Sequence, residues 1–213
     1  MMLCLESSAE PTVIGLVREE TVLIERVFAE RDRMADEIES VLREASVAVL
    51  ELKSIAVGIG PGSFTGLRVS LAIAKGMALG LSFPIWPVAS LKIIAANFAA
   101  GGRSIAVISP ARRGQAHYAV FDCLLLEPVD GPCVLDYADL PSRLPEDAIL
   151  TGPGVAKLDA NLHAQLNARI PDDLLFLRPQ IIHLARLARE EWQDREPPDI
   201  GSLVPFYGLD FPA

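Results

Sequence analysis

At 213 residues, 51% apolar and 22% charged, the chain carries the apolar content of an ordinary packed protein, either one large domain or two lobes of about 100 residues. A formal net charge of −9 excludes a stand-alone nucleic-acid binder that grips phosphates by its own charge. Cys4, Cys123 and Cys133 form an odd, dispersed set without CxxC spacing, which excludes a disulfide scaffold and points to free thiols in a reducing cytoplasm.

The charge is uneven. No Asp or Glu occurs from Leu52 to Phe121, where seven of the 19 basic residues lie, leaving 12 basic against all 28 acidic residues elsewhere. Such a stretch is either mostly buried or a positively biased face for an acidic partner or anion. The start, MMLCLESS, has neither a basic segment nor a long enough apolar run for a signal peptide. The longest apolar run, 69–81, is interrupted by Lys75 and falls short of the ~20 residues of a membrane span, so no membrane is expected.

In chain order, Met2–Glu6, Thr12–Val17 and Thr21–Phe28 read as three strands with short polar connections, an antiparallel meander. Arg31–Ala45 reads as an amphipathic helix, with Met34, Ile38, Val41, Leu42 and Ala45 on one face and acidic residues opposite. Ile55–Ile59 is a β-branched strand. It enters the turn Gly60-Pro61-Gly62-Ser63, from which a helix runs over 65–81 with Ser63 or Thr65 as its N-cap.

That helix is the unusual element. Gly66, Ser70, Ala74 and Ala78 make one run of small residues at i, i+4 spacing, and Ala72, Gly76 and Gly80 make a second. Leu67, Val69, Leu71, Ile73, Met77 and Leu81 fill the gaps, so only the side of Arg68 and Lys75 is polar. A helix apolar nearly all round needs cover on more than one side, and interior glycines cost about 1 kcal/mol each relative to alanine. Its own sheet covers one face; the other needs a second helix, a partner chain, or both.

Pro84–Val88 gives one more strand, Ser90 caps a helix to about Ala100, and Gly101-Gly102 is the expected lobe boundary, dividing 1–101 from 102–213. The second half restarts with Ser104–Ser109 and His117–Cys123 around the turn Pro110–Gly114. A strand is expected near Cys133–Leu135, a short helix after Asp139, a strand over Ala148–Thr151 entering Gly152-Pro153-Gly154, and a final helix over 179–193. The order of meander, helix, strand, helix is that of an actin-like, ribonuclease H-like α/β fold. Clear strands are too few in the second half for a full copy, so a reduced second lobe is expected.

The segment GPGSFTGLRVSLAIAKGMALGL, followed by Pro87-Val88-Ala89-Ser90-Leu91, closely resembles the signature of the bacterial TsaB family. These are the YeaZ-like, Gcp-like proteins of tRNA threonylcarbamoyladenosine biosynthesis. The resemblance implies an actin-like fold and a non-catalytic scaffold subunit, a pseudoenzyme. Its partners would be a TsaD-like paralogue that supplies the active site and a TsaE-like ATPase. The complex transfers threonylcarbamoyl to N6 of adenosine 37 in tRNAs reading A-starting codons; this chain would meet tRNA only through it and form a homodimer in isolation. The two helices are the expected partner interface, through Met34, Ile38, Leu42, Leu67, Ser70, Leu71, Ala74, Met77 and Ala78.

Two departures from the family pattern bear on chemistry. Glu6 stands where the family has the Asp of D-T-S, and Pro110 stands where it has the acid of D-A-R-R. Actin-like phosphoryl transfer uses such acids to organise metal and phosphate. No cofactor is therefore expected to be held tightly by this chain, with ATP used by the wider complex. Glu6, Gly60, Gly62 and Ser63 remain candidate nucleotide or anion contacts. The glycine spacing departs from a dinucleotide fingerprint, and no GK[ST] exists for a Walker loop. His117, His163 and His183 lack metal-ligand spacing, and no G-x-S-x-G supports a Gcp-like peptidase. Arg112 and Arg113 read as phosphate or tRNA contacts, or as a solvated hairpin corner. The alternative function is a stand-alone actin-like ATP-binding enzyme or a Gcp-like peptidase.

Overall fold

The computed structural model describes residues 1–192 and 194–207. By contacts the chain forms two compact units, one of Met1–Ser90 with Gln180–Phe206, the other of Leu91–Pro179. Gly101-Gly102 lies inside the second unit, and the last helix belongs with the first.

The first unit is built on β1 (Met2–Glu6), β2 (Thr12–Arg18), β3 (Thr21–Phe28), β4 (Ser54–Gly58) and β5 (Ile85–Val88), ordered β3-β2-β1-β4-β5. The meander β1-β2-β3 is antiparallel, while β4 and β5 run parallel to β1. Parallel neighbours require crossovers. α1 (Met34–Glu44) makes the first and α2 (Phe64–Leu81) the second. Both pack on one sheet face, where Leu3, Leu5, Ile14, Leu16, Ile55 and Val57 meet Met34, Ile38, Val41, Leu71, Ala74 and Ala78.

The chain enters the second unit through α3 (Ser90–Ala95). There β6 (Ile105–Pro110), β7 (Gln115–Phe121), β8 (Pro128–Asp136), β9 (Ala148–Thr151) and β10 (Ala168–Arg169) repeat the same plan in the order β10-β9-β6-β7-β8. Strand number is therefore complete, contrary to the expectation from sequence. β10 has only two residues, and β8 contains Pro128, Gly131 and Pro132, which removes the alternating pattern by which strands are read. The reduction lies in the helices: α4 (Leu140–Arg143) and α5 (Ala160–Gln165) span four and six residues, against 11 and 18 for α1 and α2.

α6 (Ile181–Trp192) returns to the first unit and packs against β1, β2, β4 and β5. Its expected end at Gln193 lies outside the described residues. A Cβ on Gly15, which lies opposite Cys4 on β2, would meet the Ile181 side chain at 3.0 Å, which puts α6 on the Cys4 face, opposite α1 and α2. Two five-stranded sheets, each with an antiparallel hairpin beside parallel crossover strands, make the two-lobed actin-like α/β fold.

Candidate functional site

The glycine turn and α2 are positioned by the end of β1. Glu6 lies opposite Val13 on β2 and is 1% exposed. Its Oε1 accepts from the Ser8 backbone N–H at 2.7 Å, and its Oε2 accepts from Ser90 Oγ at 2.9 Å. Ser90 Oγ in turn accepts from Gly60 N–H at 3.0 Å. Burial raises the Glu6 carboxyl above its usual range, against the lowering by its Ser8, Ser90 and Ser7 hydrogen bonds. Glu6 thus clasps the β1–β2 loop, the glycine turn and the start of α3 together.

The turn itself is filled by its own chain. A Cβ on Gly58 would overlap the Glu6 carboxyl group, one on Gly62 would overlap the Ser8 carbonyl, and one on Gly60, at φ +103°, would overlap the Phe206 carbonyl. Backbone bonds close the arrangement: Ser63 N–H donates to Ser8 O at 2.6 Å and Phe206 N–H to Ile59 O at 2.7 Å. Glycine is required here by close backbone approach. Of the four candidate anion contacts, Glu6, Gly60 and Gly62 are engaged in this packing. Ser63 serves as the α2 N-cap, accepting from Gly66 N–H at 3.3 Å; Thr65 does not take that role.

α2 presents two unlike faces. Leu67, Ser70, Leu71, Ala74 and Ala78 are buried in the first unit, as are Met34 and Ile38 of α1. Leu42 and Met77 are half-buried against the same core. The nine residues expected at a partner interface therefore cover this chain's own sheet. Ser70 shows the reason directly: its Oγ accepts from Ser7 Oγ at 2.9 Å and donates to Leu67 O at 3.2 Å. The outward side of α1 is charged, with Arg43–Glu39 at 3.6 Å, while buried Glu37 pairs with Arg33 at 2.7 Å.

The other face of α2 is open. Phe64 is 55% exposed and Leu79 70%; Arg68, Ala72, Gly76 and Gly80 are also exposed. A Cβ at Gly76 or Gly80 would meet nothing within 4 Å. Arg68 stacks over the Phe64 ring at 3.9 Å, and half-buried Lys75 donates to Gly201 O at 3.4 Å. The helix is long and apolar enough to cross a membrane, but its inner face is core of the first unit. The signal available in the sequence was Arg68 and Lys75: they share a stripe with Ala72, Gly76 and Leu79, so the polar side marks the outer one.

The remaining candidates do not converge. Arg112 and Arg113 are exposed on the β6–β7 turn. His117 is buried beside Ser109 on the neighbouring strand, and burial lowers its pKa. Among the described residues, no group of three or more His, Cys, Asp or Glu is placed to hold a metal ion. Burial pushes the Cys4 thiol far up, away from reactivity.

Two actin-like sheets, the first carrying a strand, glycine turn and small-residue helix, define a protein class, and comparison with known proteins identifies it. The family model described as TsaD, tRNA N6-adenosine threonylcarbamoyltransferase, matches residues 29–149. TsaB of Bacillus subtilis is 29% identical, over 97% of this chain and 93% of its own. TsaB of Escherichia coli is 26% identical over 56% of this chain and 54% of its own. An uncharacterised Mycobacterium tuberculosis protein is 30% identical over 97% and 90%. The solved YeaZ of Pseudomonas aeruginosa superposes with a TM-score of 0.78, at 24% identity over 97% of this chain and 98% of that one, a likeness of fold. The chain belongs to the TsaD-domain family, on its TsaB, YeaZ-like branch.

Proposed function

We propose that this chain acts in tRNA threonylcarbamoyladenosine biosynthesis as a non-catalytic subunit that docks a TsaD-like paralogue through the outer face of α2. The open apolar stripe of Phe64, Ala72, Gly76, Leu79 and Gly80 carries the reading. Two helix glycines facing empty space are a standing cost to the isolated chain, and a helix packed against them would exploit the lack of side chain. The same stripe serves a homodimer when the paralogue is absent. A TsaE-like ATPase and the ATP it uses belong to the wider complex, in the cytoplasm, and tRNA is reached only through that complex, in keeping with the net charge of −9. The backbone-filled glycine turn and the clasped Glu6 support the absence of phosphoryl transfer by this chain alone. Nothing favours the stand-alone ATP-binding enzyme.

The test is Leu79→Glu, co-expressed with the source organism's TsaD-like protein. Leu79 is 70% exposed, so the isolated variant should melt as wild type does. Burying Leu79 in an interface contributes about 2 kcal/mol and a buried charge opposes docking, so affinity should fall by about a hundredfold or more. Co-purification at wild-type yield would overturn the docking face.

A further inference from the structure

The outward side of α6 carries charged groups that neither the fold nor the docking face uses. Between α6 and the β2–β3 turn lies a half-open hollow of about 510 Å³, lined by Glu20, Ile182, Arg186, Arg189 and Glu190. That volume falls within the range of about 300–1,000 Å³ usual for small-molecule sites. Two charges of each sign face it. Arg186 and Glu190, one helical turn apart, pair at 3.1 Å and cancel. Half-buried Arg189 and exposed Glu20 make no hydrogen bond or ion pair among the described residues, with each other or with any other group. Ile182 supplies the apolar surface of the lining.

This distribution discriminates among ligands. A simple anion would meet Glu20 and Glu190 as well as the arginines, and a simple cation would meet the reverse. A polyphosphate would bring far more negative charge than one free guanidinium offsets. A molecule with one charge of each sign and a short apolar body satisfies every group left over.

We propose that this hollow binds a free α-amino acid with a small apolar side chain, its carboxylate on Arg189, its ammonium on Glu20 and its side chain against Ile182. Each end makes a charge-assisted hydrogen bond, so removing either charge from the ligand should weaken binding about tenfold or more.

The experiment is methyl NMR on the full chain, following Ile182 during titration with L-valine, isobutyrate and isobutylamine. A saturable shift with valine is expected, with both single-charge analogues at least about tenfold weaker. Arg189→Gln should erase the advantage of valine over isobutylamine, and Glu20→Gln its advantage over isobutyrate. Both side chains reach solvent, and melting curves confirm that the variants fold. Absence of a saturable shift up to about 10 mM valine, equal binding of either analogue, or unchanged valine affinity in both variants would overturn the site.

Discussion

Two runs of small residues wind along one helix and meet different fates. Gly66, Ser70, Ala74 and Ala78 face inward, where they let α2 lie close on its own sheet and let Ser70 reach Ser7. Ala72, Gly76 and Gly80 face outward onto empty space. The chemistry of the two runs is nearly the same, yet only the inner one is accounted for by this chain. Small residues thus mark close approach without saying what approaches, and the neighbouring side chains decide. Leucines flank the inner run; Arg68, Lys75, Phe64 and Leu79 flank the outer.

The sharpest way to break that contrast is to place the same charge on each run's side of the helix. Ala74→Glu puts a carboxylate into the sealed core of the first unit, a cost of several kcal/mol. Loss of the cooperative melt is expected, measured by circular dichroism on the isolated chain. A folded Ala74→Glu protein would mean that the inner run is not sealed. Leu79→Glu should do the opposite, sparing the fold and costing only the complex.

A smaller effect separates the clasp from the docking face. The Glu6 carboxyl is raised by burial from the ordinary glutamate value of 4.5. A raised acid pKa means that the folded state holds the proton more tightly than the unfolded chain. Its contribution is therefore complete below that ordinary value and is lost as pH rises through the folded one. The wild-type melting temperature should decline over that rise more steeply than that of Glu6→Gln. Parallel curves would contradict a buried, proton-holding Glu6.

Much of this was legible in the sequence, because strands, glycine turn and helix each carry a local signal. Short apolar runs mark β1 to β5, β-branched in β2, β3 and β4, and Ser63 before the apolar run marks the start of α2. The facing of α2 is less legible: Ser70 and Ala74, expected at a partner interface, are buried in this chain's own first unit, since i, i+4 spacing identifies a face but not its neighbour. The second sheet is less legible for a different reason. β10 is two residues long, and Pro128, Gly131 and Pro132 interrupt β8, so those strands exist through pairing with neighbours rather than through their own propensity. The clasp depends on contacts between residues as far apart as Glu6 and Ser90, which no local pattern reports.

The most direct test of the outer face is the Gly76→Ala, Gly80→Ala double variant, compared as isolated chain and in complex with the TsaD-like partner. Both new methyl groups enter open space in the isolated chain, so it should gain roughly 1 kcal/mol or more of stability in denaturant unfolding. A chain that unfolds later yet binds the partner about tenfold more weakly is the predicted result. Greater stability with undiminished binding would contradict it.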